Sequence, residues 1–246
     1  MNSVSANFAK LKSVIAVVMF ILLTFVLASV GVVQNLIFNR RKFDNWIIMN
    51  WGRWTCWLFK IKVQITGLNH LKQGEGGIIL FNHSSFVDIF VMAAHLKNIR
   101  FGAKIELFKI PIFGLAIKRF GTLPIARNNR EEVFKVYEEA RVRFSRGEKF
   151  SLSPEGGRFY GEQLARFKSG PFVFAINSQV PLIPVVIRGA YQCWPKGSWL
   201  ANAERLDRVV EIAILEPIST VGLNINQRGQ LQNQCYELMN RVYQAH

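Results

Sequence analysis

Residues 77–90 read GIILFNHSSFVDIF and hold the signals of a strand, a turn and a helix in immediate succession. The continuous apolar run Gly77-Ile-Ile-Leu-Phe81 is typical of a strand that is buried on both faces. Apolar residues at helical spacing then predict a helix from Ser84 to His95. A buried strand that leads directly into a helix indicates an α/β fold, in which helices cover the faces of a sheet.

The same alternation continues along the chain. Strands are predicted at 61–67, 77–82, 99–104, 149–154, 180–187 and 208–215. Helices are predicted at 84–95, 105–119, 130–146, 166–178 and 227–244. We therefore predict an α/β fold with a mixed, largely parallel sheet flanked by helices, and with an N-terminal hydrophobic membrane-anchoring helical segment. Pro181 and Pro184 place their strand at a sheet edge or in a special loop, because proline is normally excluded from central strands.

The hydrophobic run 13–39 contains no charged residue and is long enough to form a helix that crosses a bilayer. Basic residues flank both of its ends. A cleaved signal peptide is one alternative, because Val26-Leu27-Ala28 resembles a cleavage site, but the apolar run continues to Phe38. A buried core helix is another alternative. The length and the flanks favour a permanent membrane anchor.

A Trp-rich segment, residues 46–60, follows the hydrophobic run and contains four of the six tryptophans of the chain. Tryptophan collects at the headgroup level of membranes, which favours an interfacial helix; the alternative is an ordinary amphipathic helix packed on the domain. The anchor either spans the bilayer or enters it and returns through 46–60. We predict a boundary near residue 60, with a membrane anchor at 1–60 and an α/β domain at 61–246.

The formal net charge of +15 is shared by both parts of the chain. Residues 1–60 carry seven basic and one acidic residue, and the remainder carries 24 basic and 15 acidic residues. Anionic membrane lipids are the expected partners of such a surface. No nucleic-acid recognition motif is present, so we expect no nucleic-acid partner. Three scattered cysteines indicate a reducing compartment and argue against a disulfide framework or a zinc site.

His83 and Asp88 lie five residues apart across the turn within residues 77–90. His83 should precede the helix and fold back towards Asp88 in its first turn. An aspartate that accepts from one imidazole nitrogen fixes the tautomer, and the other nitrogen becomes a general base for a hydroxyl. The alternative is structural, because Ser85-x-x-Asp88 also resembles a capping box at a helix start.

Ser153-Pro-Glu-Gly-Gly-Arg158 is a second candidate block, in a turn after a predicted strand. Its glycines allow close backbone approach, and its arginine matches phosphate bidentately; the alternative is a surface turn with an ion pair. Two further blocks are Gly121-Thr-Leu-Pro-Ile-Ala-Arg127 and the proline-containing strand at 180–187.

The four blocks, in this order and spacing, resemble the glycerolipid acyltransferases with an HxxxxD motif, specifically the 1-acylglycerol-3-phosphate acyltransferases. The resemblance covers about residues 60–220. It implies that His83 deprotonates the acceptor hydroxyl and that Asp88 orients His83. It also implies substrate-binding roles for Lys104, Arg127, Glu155, Gly156, Arg158 and Pro184.

The third family block usually reads Phe-Pro-Glu-Gly-Thr-Arg, and this chain has Ser153 in place of the phenylalanine and Gly157 in place of the threonine. These departures weaken the assignment of the acceptor substrate more than the assignment of the acyl-transfer chemistry. The stretch Phe167-Lys-Ser-Gly170 also resembles the family, although a helix start explains it equally well.

The resemblance implies transfer of an acyl group from acyl-CoA or acyl carrier protein to the sn-2 hydroxyl of lysophosphatidic acid, which gives phosphatidic acid. Backbone N–H groups near the start of the helix after His83 would stabilise the oxyanion. We expect no cofactor and no metal. The expected location is the cytoplasmic side of a bacterial inner membrane. Three alternatives remain: another lysolipid acceptor such as a lyso-ornithine lipid, a membrane scaffold without turnover, and an anchored thioesterase.

Overall fold

One seven-stranded sheet organises the computed structural model, which describes residues 3–38, 41–126, 128–201 and 208–245. Its strands are β1 (Ile61–Thr66), β2 (Gly77–Phe81), β3 (Ile99–Lys104), β4 (Leu123–Ile125), β5 (Lys149–Leu152), β6 (Leu182–Arg188) and β7 (Arg208–Ile214). The strand order is β1-β7-β6-β2-β5-β3-β4, and only the β6–β7 pair is antiparallel. The predicted fold class, a mixed and largely parallel sheet, is confirmed.

Helices cover both faces of the sheet. They are α1 (Ser3–Ile37), α2 (Arg41–Leu58), α3 (Val87–His95), α4 (Phe113–Arg119), α5 (Arg130–Arg141), α6 (Gly170–Ser178), α7 (Ala190–Cys193) and α8 (Arg228–Gln244). The buried strand β2 shows the layering: Ile79 and Phe81 pack in the cluster with α2 and α3, whereas Ile78 and Leu80 pack in the cluster with α5, α6 and α8. The strand is apolar at every position because both of its faces are covered.

Several helix boundaries differ from the sequence-based prediction; for example, the helix expected at 166–178 begins at Gly170. The helix expected from Ser84 begins at Val87, because the preceding residues form a turn that is held by Asp88, as described below. The helix expected over 105–119 is divided into a 3₁₀ turn at Ile105–Lys109 and α4. Proline lacks the N–H that a helix interior requires, and Pro111 lies at the break.

The expectation of an edge strand at 180–187 is wrong, because β6 lies between β2 and β7. The structure accommodates Pro184 at an irregularity of the β6–β7 pair. Leu182 pairs with Ile218 and Val185 pairs with Ile214, so the β7 side has one residue more than the β6 side. Proline is tolerated in a sheet at such a bulge.

The N-terminal helices pack along the side of the sheet that α3 covers. Within the described residues, Lys10–Ile37 is the one segment long and apolar enough to cross a membrane, by length and composition. Trp51 Nε1 donates to Thr24 Oγ1 at 3.0 Å, which joins α2 to α1. Gly52 approaches α3 so closely that a β-carbon would lie 2.5 Å from the Ala94 nitrogen. The division of the chain at residue 60 stays a prediction.

Candidate active site

His83 lies just beyond the carboxyl end of β2, in the turn that leads to α3. Its Nδ1 is 2.8 Å from Asp88 Oδ2, and the Asp88 side chain is fully buried. The same oxygen accepts the backbone N–H groups of Ser84 and Ser85, each at 2.8 Å. The two interpretations of Asp88 are therefore compatible, because one carboxylate both contacts the imidazole and closes the turn before the helix.

The contact with Asp88 determines which imidazole nitrogen can react. A proton on His83 Nδ1 satisfies the aspartate, and this assignment leaves Nε2 unprotonated and able to accept a proton. His83 is 15% exposed and lines the large cavity described below. An oriented histidine with its second nitrogen accessible from a cavity is the arrangement that a general base requires.

Glu155 holds the backbone of the His83–Asp88 turn. Its Oε1 accepts from the His83 N–H at 2.8 Å, and its Oε2 accepts from the Ala165 N–H at 3.1 Å. The His83 carbonyl in turn accepts from the Phe159 N–H at 2.7 Å. Both carboxylate oxygens therefore contact protein, and the substrate-binding role implied for Glu155 stays a prediction.

Burial raises the pKa of the Glu155 carboxyl to about 7, and the negative charge of Asp88 adds to the rise. The two backbone N–H groups oppose it, because they favour the ionised form. This carboxyl therefore titrates near neutral pH directly beside the His83 backbone.

A cavity of about 1140 Å³ extends from His83 between the N-terminal helices and the β3–β4 edge of the sheet. Apolar side chains contributed by α1, α2 and α3 and by the end of α4 line much of it, among them Phe20, Ile47, Phe90 and Phe120. Apolar walls of this extent suit a hydrocarbon chain.

Basic groups line the same cavity. Arg158 stacks its guanidinium 4.0 Å from the centroid of the Phe86 ring, and Lys104 forms an exposed ion pair with Glu106 at 3.2 Å. Gly156 also lines the cavity and has a φ of +73°, which favours glycine. The structure therefore brings Lys104, Gly156 and Arg158 to one cavity with His83.

Asp88 and Glu155 contact His83 but do not line this cavity themselves. Two further predicted site residues are not placed in it. Pro184 is buried within β6 and is not among the lining residues. Arg127 lies outside the described residues. In the described part of the chain, no group of three or more His, Cys, Asp or Glu residues is arranged to hold a metal ion.

The oxyanion donors expected at the start of the helix are mostly engaged already. The N–H groups of Ser84 and Ser85 donate to Asp88, and the Val87 N–H donates to Ser85 Oγ at 3.2 Å. Phe86, which lines the cavity that contains His83, was not predicted as a site residue. Its sequence signal was an aromatic side chain, which is equally common in cores.

The comparisons with known proteins agree with this geometry. The family model described as Acyltransferase matches residues 62–188, which is about half of the chain. The chain belongs to the acyltransferase family. The family predicted from the four blocks is therefore confirmed, and the match covers the His83–Asp88 turn and the Glu155–Arg158 turn.

Two curated relatives in this family carry the same functional name. The chain is 30% identical over 160 residues to "1-acyl-sn-glycerol-3-phosphate acyltransferase LPAT1, chloroplastic" of Arabidopsis thaliana; this alignment covers 65% of the chain and 45% of the relative. It is 26% identical over 158 residues to the 1-acyl-sn-glycerol-3-phosphate acyltransferase of Pseudomonas aeruginosa, covering 62% of the chain and 61% of the relative. The chain thus spans less than half the length of the Arabidopsis relative.

The fold also matches a solved member of the family. The crystal structure of the 1-acyl-sn-glycerophosphate (LPA) acyltransferase PlsC from Thermotoga maritima superposes with a TM-score of 0.80 and 23% identity. The superposition covers 96% of each chain. It therefore includes the N-terminal helices as well as the sheet.

Proposed function

We propose that this protein transfers an acyl group from a thioester, on coenzyme A or acyl carrier protein, to the sn-2 hydroxyl of lysophosphatidic acid, and thereby makes phosphatidic acid. The observation that carries the proposal is the His83 Nδ1–Asp88 Oδ2 contact of 2.8 Å at an apolar cavity. The names of the similar curated proteins support the acceptor.

The proposed reaction needs one proton carrier. His83 Nε2 takes the proton of the acceptor hydroxyl as its oxygen attacks the thioester carbonyl, and the Asp88 carboxylate stabilises the imidazolium. The tetrahedral intermediate then collapses, the carbon–sulfur bond breaks, and the leaving thiolate takes the proton from the imidazolium. The products are an ester and a free thiol, and His83 returns to its starting state. No cofactor is needed in this sequence of steps.

The polar and apolar parts of the substrates would bind at different places in the cavity. Lys104 and Arg158 would bind the acceptor phosphate, because both line the cavity that contains His83. The apolar walls between α1, α2 and α4 would hold hydrocarbon chains. With its phosphate bound at Lys104 and Arg158, a lysolipid would have its free hydroxyl close to His83.

An acceptor series tests the proposal. We expect the wild-type protein in detergent micelles to transfer a labelled acyl group from acyl-CoA or acyl carrier protein to lysophosphatidic acid, with formation of labelled phosphatidic acid. Transfer only to a phosphate-free lysolipid would instead favour the second candidate function, which the unusual Ser153 and Gly157 motivate. Transfer to no lysolipid acceptor from either donor would contradict both.

We also propose that the protein resides on the cytoplasmic side of a bacterial inner membrane, with α1 held in one leaflet. Three contacts distributed along α1 support this orientation: Ser13 to Ala201, Thr24 to Trp51 and Asn35 to Asp44. From Ser13 to Asn35 a helix extends about 33 Å, similar to the hydrocarbon core of roughly 30 Å. Trp51 and Asp44 belong to α2, which packs on α3 of the sheet domain. A helix α1 perpendicular to the bilayer could not keep all three contacts while α2 stays packed on a domain outside the membrane. The outer face of α1 is apolar and exposed.

Cysteine labelling tests this orientation. Lys10→Cys and Lys42→Cys place thiols at exposed positions on either side of the apolar segment 13–39. In vesicles with outward-facing catalytic domains, we expect a membrane-impermeant maleimide to modify both variants. The unsubstituted chain is the control, because Cys56, Cys193 and Cys235 are buried. Modification of one variant only after permeabilisation would show instead that α1 spans the bilayer.

A further inference from the structure

The first turn of α6 presents unused hydrogen-bond donors to the cavity. Ser169 and Gly170 both line the cavity, and neither backbone N–H has an acceptor among the described residues. Pro171 follows and carries no N–H. The Ser169 side chain makes no capping bond. The start of a helix carries partial positive charge, so this turn favours an anion.

A buried tyrosine points at the same place. Tyr137 is only 4% exposed and lines the cavity, and its hydroxyl forms no hydrogen bond within the described part of the chain. The hydroxyl oxygen lies 3.8 Å from the position that a β-carbon on residue 170 would occupy. The hydroxyl oxygen is open to the cavity, so this donor is available to a polar group that binds there. Burial also raises the pKa of Tyr137, which keeps the hydroxyl protonated and able to donate.

A lysine and a second hydroxyl complete the surroundings. The Lys168 side chain crosses Gly156, whose β-carbon would lie 2.8 Å from Lys168 Nζ. No carboxylate among the described residues lies within 4 Å of Lys168 Nζ, so its charge is not neutralised by an ion pair. Ser153 Oγ is buried without a hydrogen-bond partner and its residue lines the cavity.

We infer that the α6 N-terminus, Lys168, Tyr137 and Ser153 form a second phosphate subsite, beside the one that Lys104 and Arg158 provide. Each of these groups can donate a hydrogen bond, and a phosphate oxygen is an acceptor that satisfies several donors at once. The Lys168 side chain lies directly over Gly156, so a larger residue at position 156 would displace the Lys168 ammonium group from the subsite. This inference rests on the proposed function, because it assigns the subsite to a phosphate of the acceptor or of the acyl donor.

Three variants test the subsite in the full chain. Lys168→Met removes the charge and keeps a long side chain. Tyr137→Phe removes only the hydroxyl and retains the ring that stacks 4.2 Å from Phe174. Lys62→Met is the matched control, because Lys62 is exposed on β1, at the sheet edge opposite β4.

Calorimetric titration with inorganic phosphate gives a readout that does not depend on turnover. We expect two phosphate sites in wild type and in Lys62→Met. In Lys168→Met and Tyr137→Phe, one of the two sites should weaken by at least about tenfold, as loss of a charge-assisted hydrogen bond predicts. Unchanged titrations of both subsite variants would overturn the inference even if the wild-type protein transfers acyl groups.

Steady-state kinetics then identify the source of the phosphate. A KM that rises about tenfold for lysophosphatidic acid assigns the subsite to the acceptor, and the same rise for acyl-CoA assigns it to the donor. We expect kcat to change less than KM in either case. Unchanged KM values for both substrates would contradict the inference. Failure of the wild-type protein to transfer at all would instead contradict the proposed function, because phosphate binding is measured separately.

Discussion

His83→Ala should abolish acyl transfer and leave the protein folded and bound to membranes. The substitution removes the imidazole that contacts Asp88 and that we propose as the general base. General-base catalysis contributes roughly 10²–10⁴-fold to rates, so we expect a loss in kcat of at least about that size. Stability should change little, because Asp88 Oδ2 keeps its hydrogen bonds from Ser84 and Ser85.

The measurement is single-turnover transfer from a labelled acyl thioester to lysophosphatidic acid, with circular dichroism and vesicle flotation as checks of folding and membrane binding. His95→Ala is the matched control, because His95 is exposed at the end of α3. An active His83→Ala variant would refute the role of His83 as base. If neither wild type nor the variant transferred an acyl group, the result would favour a membrane scaffold without turnover. Release of free fatty acid without acceptor would favour a thioesterase.

Asp88→Asn tests whether the carboxylate orients His83 for catalysis, holds the turn before α3, or does both. Asparagine is nearly isosteric and keeps one oxygen for the His83 ring and both serine N–H groups, which all contact Oδ2, but it carries no charge. The variant should therefore lose activity, because no carboxylate stabilises the imidazolium, and stability, because the hydrogen bonds of the turn become weaker. If Asp88 only closed the turn before the helix, the variant would lose stability, but each folded molecule would keep the wild-type kcat.

The contact between His83 and Asp88 could be predicted from the sequence because it is local. Five residues across a strand-to-helix turn leave few conformations, and the residue types indicate the chemistry. The prediction of the helix start was less accurate because Asp88 reaches back over Ser84 and Ser85, which extends the turn to Val87. Caps of this kind depend on one side-chain rotamer, which apolar periodicity does not report.

Long-range contacts could not be predicted in the same way. Glu155 accepts from the backbone of a residue 72 positions earlier, and this contact exists because β2 and β5 are parallel neighbours. Periodicity identifies strands but not their order in the sheet. The position of β6 illustrates the same limit: prolines indicated an edge, and the sheet instead absorbed Pro184 at a bulge next to β7. The meeting of Tyr137 with Gly170 likewise depends on how α5 packs on α6.

Glu155→Ala should lower kcat by about 10²-fold while the KM for the acceptor changes little. The alanine leaves the backbone N–H groups of His83 and Ala165 without acceptors, at a cost of about 1–3 kcal/mol each. Among the described residues, the Phe159 N–H would then remain as the hydrogen-bond partner of the His83 backbone, and the imidazole would shift with that backbone although it still contacts Asp88. Small displacements of a catalytic group reduce rates strongly. A large rise in acceptor KM with kcat retained would instead support the direct substrate-binding role that the family resemblance implies.

Glu155→Gln adds a pH-dependent test, because glutamine cannot ionise. The folded-state pKa of Glu155 is raised from 4.5 to about 7, so its contribution to stability is fully present below pH 4.5 and is lost as the pH rises through about 7. Ionisation of the buried carboxyl should therefore cost wild type roughly 3 kcal/mol at most between these limits. We expect the free energy of unfolding of wild type minus that of Glu155→Gln to fall between pH 5 and pH 8, measured by denaturant titration. A difference that stays constant over this range would show that burial does not raise the pKa of Glu155, and the carboxylate would then hold both N–H groups as an ion at every pH tested.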